Sequence, residues 1–185
     1  MRQAWRRRTT RTPIISAHNT SGHASISDHD RLVAWGDELT RIHTQLRNAL
    51  DVARAAVEDA GEAEELSDHA ARNLLLYCRG FCAALSGHHR GEDAVLFPEL
   101  LAMRPDLVPV VAQLTSDHNM IEHLLGGLAA AVESGVGTEE QLQHLDGIEA
   151  VMETHFRYEE KKLVDLLNEA ELEKTKRQYF GPLAE

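Results

Sequence analysis

Four histidines of this chain interrupt rows of apolar residues. The rows repeat at three- and four-residue steps, which is typical of the buried face of an amphipathic helix. The four histidines are His43, His88, His118 and His155. Two of them are followed four residues later by a glutamate, Glu92 after His88 and Glu159 after His155. Four residues correspond to about 400° of helical rotation, so the two side chains of each pair project in nearly the same direction.

The chemistry that this pattern favours is metal binding. Burying a carboxylate is costly unless a partner compensates its charge, and a metal ion explains several such insertions more economically than separate salt bridges do. Imidazole and carboxylate donors without thiolates favour iron, manganese or zinc. Four histidines and two glutamates exceed what one tetrahedral zinc ion requires. The set therefore predicts two metal ions bridged by the glutamates.

Two other interpretations of the pattern are chance and a ferritin-like site. By chance, 11 histidines and 19 glutamates give about one His-x-x-x-Glu pair, whereas the chain holds three, the third being His118 and Glu122. The placement of the histidines in the core rows, one in each helix, favours a site over chance. Ferritin-like di-iron bundles place glutamate three residues before histidine, and none of the 11 histidines has that neighbour.

The predicted ligand set includes one residue beside the rows. The full set is His43, His88, Glu92, His118, Glu122, His155 and Glu159. Glu122 lies about 40° from His118 around the helix. Three roles are open to it: a seventh ligand, a base outside the coordination sphere or a salt-bridge partner.

Several neighbours of the predicted ligands are expected to stay outside the site. His89 projects about 100° away from His88 and is expected to be exposed, with pairing to Asp93 or orientation of a ligand as the alternatives. His123 is expected on the surface. Asp93 and Glu160 each follow a predicted ligand directly, and we expect them in solvent or close behind the ligands.

Four long helices must position these residues. The predicted helices run from Asp28 to Asp59, from Ser67 to Met103, from Pro109 to Ser134 and from Thr138 to beyond Leu166. Gly61 and the acidic residues after it are expected to form a link. Ser67 is the expected N-cap of the second helix, and Thr138 to Gln141 resembles a capping box. The core row of the second helix is predicted to be Leu74, Cys78, Phe81, Leu85, His88, Glu92, Val95 and Glu99, with a kink at Pro98.

The short links between these helices predict an all-α fold, an up-down-up-down four-helix bundle. We expect residues 1–26 to be a disordered basic extension and residues 27–175 to be the bundle. Residues 176–185 are expected to form a loosely packed C-terminal tail.

Charge is unevenly distributed along the chain of 185 residues, whose net charge is −11. Residues 1–27 carry five arginines and no acid, whereas the remainder carries 14 basic and 30 acidic side chains. So acidic a body argues against a nucleic-acid partner.

No stretch reaches transmembrane length, and the apolar segment after the arginines is too short for a signal peptide. Cys78 and Cys82 lie four residues apart, which is poor geometry for a disulfide, so we expect a cytoplasmic location and no membrane partner.

Three segments together resemble the hemerythrin-like, or HHE cation-binding, family. They read HHRGEDAVLFPEL, SDHNMIEHLL and METHFRYEEKKL, and the likeness covers residues 28–170. The resemblance implies a bundle around two non-heme iron ions, with Glu92 and Glu159 as bridging carboxylates. Oxygen-carrying members have a fifth histidine four residues after the histidine of the third helix. Glu122 occupies that position here, which argues against a simple oxygen carrier.

The resemblance also implies a class of function. An iron pair with an open position in an apolar pocket admits only a small ligand such as dioxygen, peroxide, nitric oxide or azide. We expect a protein that binds or reduces such a ligand, with catalase-like peroxide turnover left open. The alternatives are an iron- or oxygen-responsive regulatory module and a protein of iron-centre repair or nitric oxide stress. Repair proteins carry a cysteine-bearing N-terminal module, which the arginine-rich N-terminus here does not resemble. A protein partner and a bundle without metal both stay open.

Overall fold

In the computed structural model, residues 35–62 and 68–184 are described, and they form helices joined by short links. The helices are α1 (Trp35–Glu62), α2 (Asp68–Gly91), a π-helical turn (Glu92–Leu96), α3 (Phe97–Met103), α4 (Val108–Ser134), α5 (Thr138–Glu169) and α6 (Lys176–Phe180). Short 3₁₀ turns cover Pro105–Leu107 and Gly181–Leu183. No strand occurs in these two ranges, so the all-α prediction is confirmed. The predictions for residues 1–26, for the start of α1 at Asp28 and for Ser67 lie outside the described residues.

The long helices run antiparallel to their neighbours. On α1 and α5, Gly36 N donates a hydrogen bond to Asn168, and Arg54 pairs with Asp146 and Glu149 at the other end. Arg79 on α2 pairs with Glu133 on α4, and Asp93, in the π turn that continues α2, accepts a hydrogen bond from Thr115 on α4. Rising numbers on one helix thus meet falling numbers on the next, as up-down-up-down order requires.

One apolar core runs along the inside of the bundle. The apolar residues at three- and four-residue steps along α1 are buried, since Leu39, Leu46, Leu50, Ala53 and Val57 are at most 2% exposed. On α4 and α5 a buried apolar residue lies one turn before each site histidine, Leu114 before His118 and Met152 before His155, and Ile121 is buried one turn after His118. The histidines therefore stand within the core and not at its edge.

The second predicted helix is interrupted by the π turn, where the core row moves by one residue. Phe97 N–H donates to the carbonyl of Glu92, five residues back. Pro98 follows directly, and it has no N–H to continue an α-helical ladder. Beyond the turn Leu96 and Leu100 are the fully buried residues. The prediction of Val95 and Glu99 as core residues is wrong, because the extra residue of a π turn rotates the following row.

Two smaller predictions about helix ends are also wrong. Gly61 is part of α1 and not of a link; a Cβ there would lie 2.5 Å from the Thr138 hydroxyl, so glycine permits close packing of α1 on the start of α5. Thr138 is the first helical residue, after the N-cap Gly137, and forms no capping box. A capping box occurs instead at Thr175 and Gln178, which begin α6.

The C-terminal segment is tightly packed, contrary to the expectation of a loose tail. Tyr179 and Phe180 are fully buried, and the Tyr179 ring meets Trp35 edge-on at 5.2 Å. Tyr179 Oη donates to Glu99, and Lys176 pairs with Glu38. The segment crosses α2 where Gly87 and Gly91 allow close approach: a Cβ at Gly91 would lie 2.6 Å from the Tyr179 carbonyl oxygen.

This close approach predicts opposite effects for two glycine-to-alanine substitutions. Gly91→Ala is expected to lower the free energy of unfolding by about 1–3 kcal/mol, because its methyl group displaces backbone. Gly126→Ala, in α4, is the matched control, since a methyl group there would have no other atom within 4 Å; it should raise stability by roughly 0.5–1 kcal/mol. Denaturant unfolding of the metal-free proteins measures both, and equal stability of the two variants would contradict the tight packing.

Candidate metal centre

Each of the four long helices brings one histidine to the same point in the core. His43 comes from α1, His88 from α2, His118 from α4 and His155 from α5, and none is more than 4% exposed. The four histidines meet because each occupies a core-facing position of its helix and the four helices pack around one core. The predicted convergence of these residues is therefore present in the structure.

Glu92 lies between two of these imidazoles. Its Oε1 is 3.3 Å from His88 Nε2, and its Oε2 is 3.6 Å from His118 Nε2. The carboxylate thus reaches from a histidine on its own helix to one on α4. One oxygen towards each imidazole is the arrangement of a carboxylate that bridges two ions.

Glu159 spans the other two imidazoles. Its Oε2 is 3.3 Å from His43 Nε2 and 3.6 Å from His155 Nε2. His118 Nε2 and His155 Nε2 are 3.2 Å apart, close to the roughly 3 Å that separates two nitrogens bound to one ion at about 2.1 Å and at right angles. The donors thus divide into the pair His43 and His88 and the pair His118 and His155, and each carboxylate connects the two pairs.

The outer nitrogen of each imidazole lies near an oxygen that can orient the ring. His43 Nδ1 donates to Glu160 Oε1 at 2.8 Å, and His88 Nδ1 donates to the Phe180 carbonyl at 3.3 Å. Asp93 Oδ1 lies 3.0 Å from His118 Nδ1, and Asp117 Oδ2 lies 3.7 Å from His155 Nδ1. The hydrogen bonds at His43 and His88 direct their Nε2 lone pairs towards the centre, as at metal-bound histidines, whereas Nδ1 of His118 and Nδ1 of His155 have no hydrogen-bond partner among the described residues. Asp93 and Glu160 lie close behind these histidines, which was one of the two expectations.

The polar atoms at the centre lack partners among the described residues. The atoms are His43 Nε2, His88 Nε2, His89 Nε2 and all four carboxylate oxygens of Glu92 and Glu159. Buried acceptors without a hydrogen bond are costly. Single donor atoms of His43, His88, Glu92 and Glu159 all lie within 4.8 Å of one another. Converging unpaired donors of these types fit metal ions of the iron, manganese and zinc class.

Burial disfavours charge on these groups. Burial and the charge of Glu159 raise the pKa of Glu92 well above its usual value. Burial also opposes ionisation of Glu159, but the imidazole of His43, 3.3 Å away, and the neighbouring imidazoles together lower the pKa of Glu159. Burial lowers the pKa of His88 and of His155, so both stay neutral at pH 7, the form that binds metal. A cation between the two carboxylates would stabilise the ionised form of both.

Aromatic rings surround the donors. Phe156 stacks on His43 with centroids 3.8 Å apart, and Phe97 stacks near His118 at 5.6 Å. Phe180 lies 6.4 Å from the His88 ring. All three phenylalanines are at most 2% exposed, so the surroundings of the centre are apolar and dry.

Two residues beside the rows have positions that the sequence alone left open or predicted wrongly. Glu122 was included among the predicted ligands with a base and a salt-bridge partner as alternatives; its side chain is 55% exposed and accepts hydrogen bonds from Ser86 and Arg90, so the structure shows the salt-bridge partner. It lines a groove between α2 and α4 and not the centre. His89 is expected to be exposed but is only 4% exposed, with its ring stacked on His118 at 4.0 Å. His123 is exposed, as predicted.

The burial of His89 has a simple helical cause that the sequence alone did not show. His89 is rotated about 100° around α2 from His88. His88 therefore lies on the side of α2 that faces α1, His89 lies on the side that faces α4, and a neighbouring helix covers each side. The available signal was the His88-His89 doublet, four and three residues before Glu92, because Glu92 lies between the two histidines in helical angle.

Comparison with protein families agrees with this centre. The profile of the hemerythrin HHE cation-binding domain matches residues 36–172. Comparison with curated proteins and with solved structures gave no match. The matched range contains the four converging histidines together with Glu92 and Glu159. The chain therefore belongs to the hemerythrin HHE cation-binding domain family.

Proposed function

We propose that this chain is a non-heme di-iron protein that binds or reduces a small ligand such as dioxygen, peroxide or nitric oxide. One observation carries the proposal: Glu92 and Glu159 each extend between an imidazole of one pair and an imidazole of the other. A single ion would leave one pair of imidazoles without a role. Bound iron would supply the electrons and the vacant coordination position that a small ligand requires.

The residues around the centre limit what can bind. The buried rings of Phe97, Phe156 and Phe180 surround the donors with apolar surface, which suits a small, uncharged ligand and not a large polar substrate. Arg47 lies over the outer face of Phe156 at 5.1 Å and pairs with Glu160. Glu160 in turn holds His43, so α1 and α5 together fix one imidazole.

The proposal places the protein in the cytoplasm. Among the helices of the described ranges, none is both long and apolar enough to span a membrane. Cys78 and Cys82 are unpaired, and burial raises the pKa of each thiol to about 11. Unreactive free thiols are consistent with a reducing compartment.

Metal content is the first test of the proposal. The protein loaded with Fe²⁺ without oxygen and then freed of unbound iron is expected to hold two ions per chain. His88→Ala and Glu159→Gln each remove a donor and should lose at least one ion. His123→Ala, an exposed histidine on α4, is the control and should keep both. Elemental analysis measures the ratio, and equal loss in all three variants would contradict the assignment.

The carboxylate behind His43 should affect metal affinity without being a ligand. Glu160→Gln weakens the acceptor of His43 Nδ1 and is expected to reduce iron affinity by about 10- to 100-fold. Glu153→Gln is the matched control, because Glu153 also binds Arg47 but does not contact the imidazole. Competition with a chelator measures both variants, and unchanged affinity in Glu160→Gln would show that this hydrogen bond does not tune the centre.

The ligand itself is tested by absorption spectroscopy. Adding dioxygen to the reduced, iron-loaded protein is expected to produce charge-transfer bands in the near-ultraviolet and visible range, and azide should alter them. A stable spectrum supports a carrier or sensor, whereas decay with release of oxygen from added peroxide supports turnover. Protein that takes up no metal, stays colourless and is equally stable with and without chelator would overturn the proposal.

A further inference from the structure

We propose that His89 is a fifth imidazole ligand of the centre, and that it binds the ion held by His118 and His155. The inference rests on the proposed function, since it needs a metal at the centre. It goes further, because it assigns a ligand that the core rows do not contain and divides the donors unequally between two ions.

The first support is the position of the ring. His89 is stacked on His118 with centroids 4.0 Å apart and planes 11° apart, and it meets His155 edge-on at 5.2 Å. One donor atom from each of the three histidines lies within 4.8 Å of the other two. Two nitrogens on one ion are at most about 4.2 Å apart at a bond length of about 2.1 Å. Binding of all three to one ion therefore requires the donor atoms to move closer together and the His89 ring to turn out of its stack on His118, because an imidazole lone pair lies in the plane of its ring.

The second support is that His89 lacks the hydrogen bond of an ordinary core histidine. Its Nε2 is buried and has no partner among the described residues. A buried imidazole nitrogen without a partner loses the hydrogen bond that it makes with water in the unfolded chain. The same unpaired state holds for Nε2 of His43 and of His88, which face the centre.

The third support is the place of Glu92 between the two adjacent histidines. Glu92 follows His88 by four residues and His89 by three, so around α2 it lies about 40° from the first and about 60° from the second. His88 faces His43 of α1, and His89 faces His118 of α4. A bridging carboxylate between two ions would have this position, with one histidine of its own helix on either side.

The resulting donor sets are unequal. His43 and His88 would hold one ion, and His89, His118 and His155 would hold the other, with Glu92 and Glu159 shared. The fifth imidazole thus comes from α2, while position 122 on α4 holds an exposed glutamate bound to Ser86 and Arg90. The ion with two imidazoles has fewer protein donors and is the one that can accept a small ligand.

The test compares variants by anaerobic titration with Fe²⁺, so it does not depend on activity. His89→Phe keeps an aromatic ring to stack on His118 but offers no donor, and it should bind one of the two ions at least 10-fold more weakly. Glu122→Gln is the matched control from the other candidate position and should bind both ions as the unmodified chain does. Circular dichroism before metal addition checks that each variant is folded.

A second variant separates ligation from packing. His89→Ala leaves a space for a free ring, and added imidazole is expected to restore binding of the second ion. Pyrrole has a similar shape but no nitrogen lone pair for a metal, so it should not restore binding.

The outcomes separate the two proposals. If the unmodified chain binds two ions and His89→Phe binds both equally well, His89 is not a ligand and the di-iron proposal stands. Rescue of His89→Ala by pyrrole as well as imidazole would also overturn the ligand role. If the unmodified chain binds no iron, both proposals fall.

Discussion

The arrangement of side chains at the centre of the bundle depends on two carboxylates that are buried in its core. Glu92 and Glu159 have no exposed surface, and their oxygens find no hydrogen-bond donor in the described part of the chain. Like charges so placed repel each other, and burial adds to the cost of ionising them. A cation between the carboxylates would relieve both effects, because it would attract each carboxylate and accept the lone pairs of the surrounding imidazoles. The constraint explains why histidines interrupt the core rows where the carboxylates lie.

The surroundings then hold the imidazoles in one orientation. Glu160 holds His43 from α5, and the carbonyl of Phe180 holds His88 from the C-terminal segment. The contact between Phe180 and His88 gives the C-terminal segment a role in the site, since α6 packs tightly against α2 and places the Phe180 carbonyl behind the His88 ring. Glycine at position 91 permits this approach, because a side chain there would collide with the backbone of Tyr179. Packing at the outside of the bundle and geometry at its centre are thus coupled.

Elements with regular periodicity were predictable because a long α-helix repeats its direction every few residues. The core positions of His43 on α1 and His118 on α4 were predicted correctly, and Gly135 ends α4 in the left-handed conformation at φ 67°. The second helix was predicted correctly only up to the π turn. Its extra residue rotates the row from Val95 and Glu99 to Leu96 and Leu100. The packing of the C-terminal segment was not predictable, because its few buried rings have no periodic pattern and their burial depends on the glycines of α2.

The sequence by itself determined the all-α bundle and the facing positions of His43, His88, His118, His155, Glu92 and Glu159, because helical spacing fixes which side chains share a face. Only the tertiary structure decided that His89 lies inside and Glu122 outside. Both residues lie beside a core row, and spacing along one helix cannot tell which flank a neighbouring helix covers. The α4 side of α2 is closed over His89, whereas Glu122 faces the open groove between the same two helices. Packing between helices, and not the pattern within one, sets the final composition of the centre.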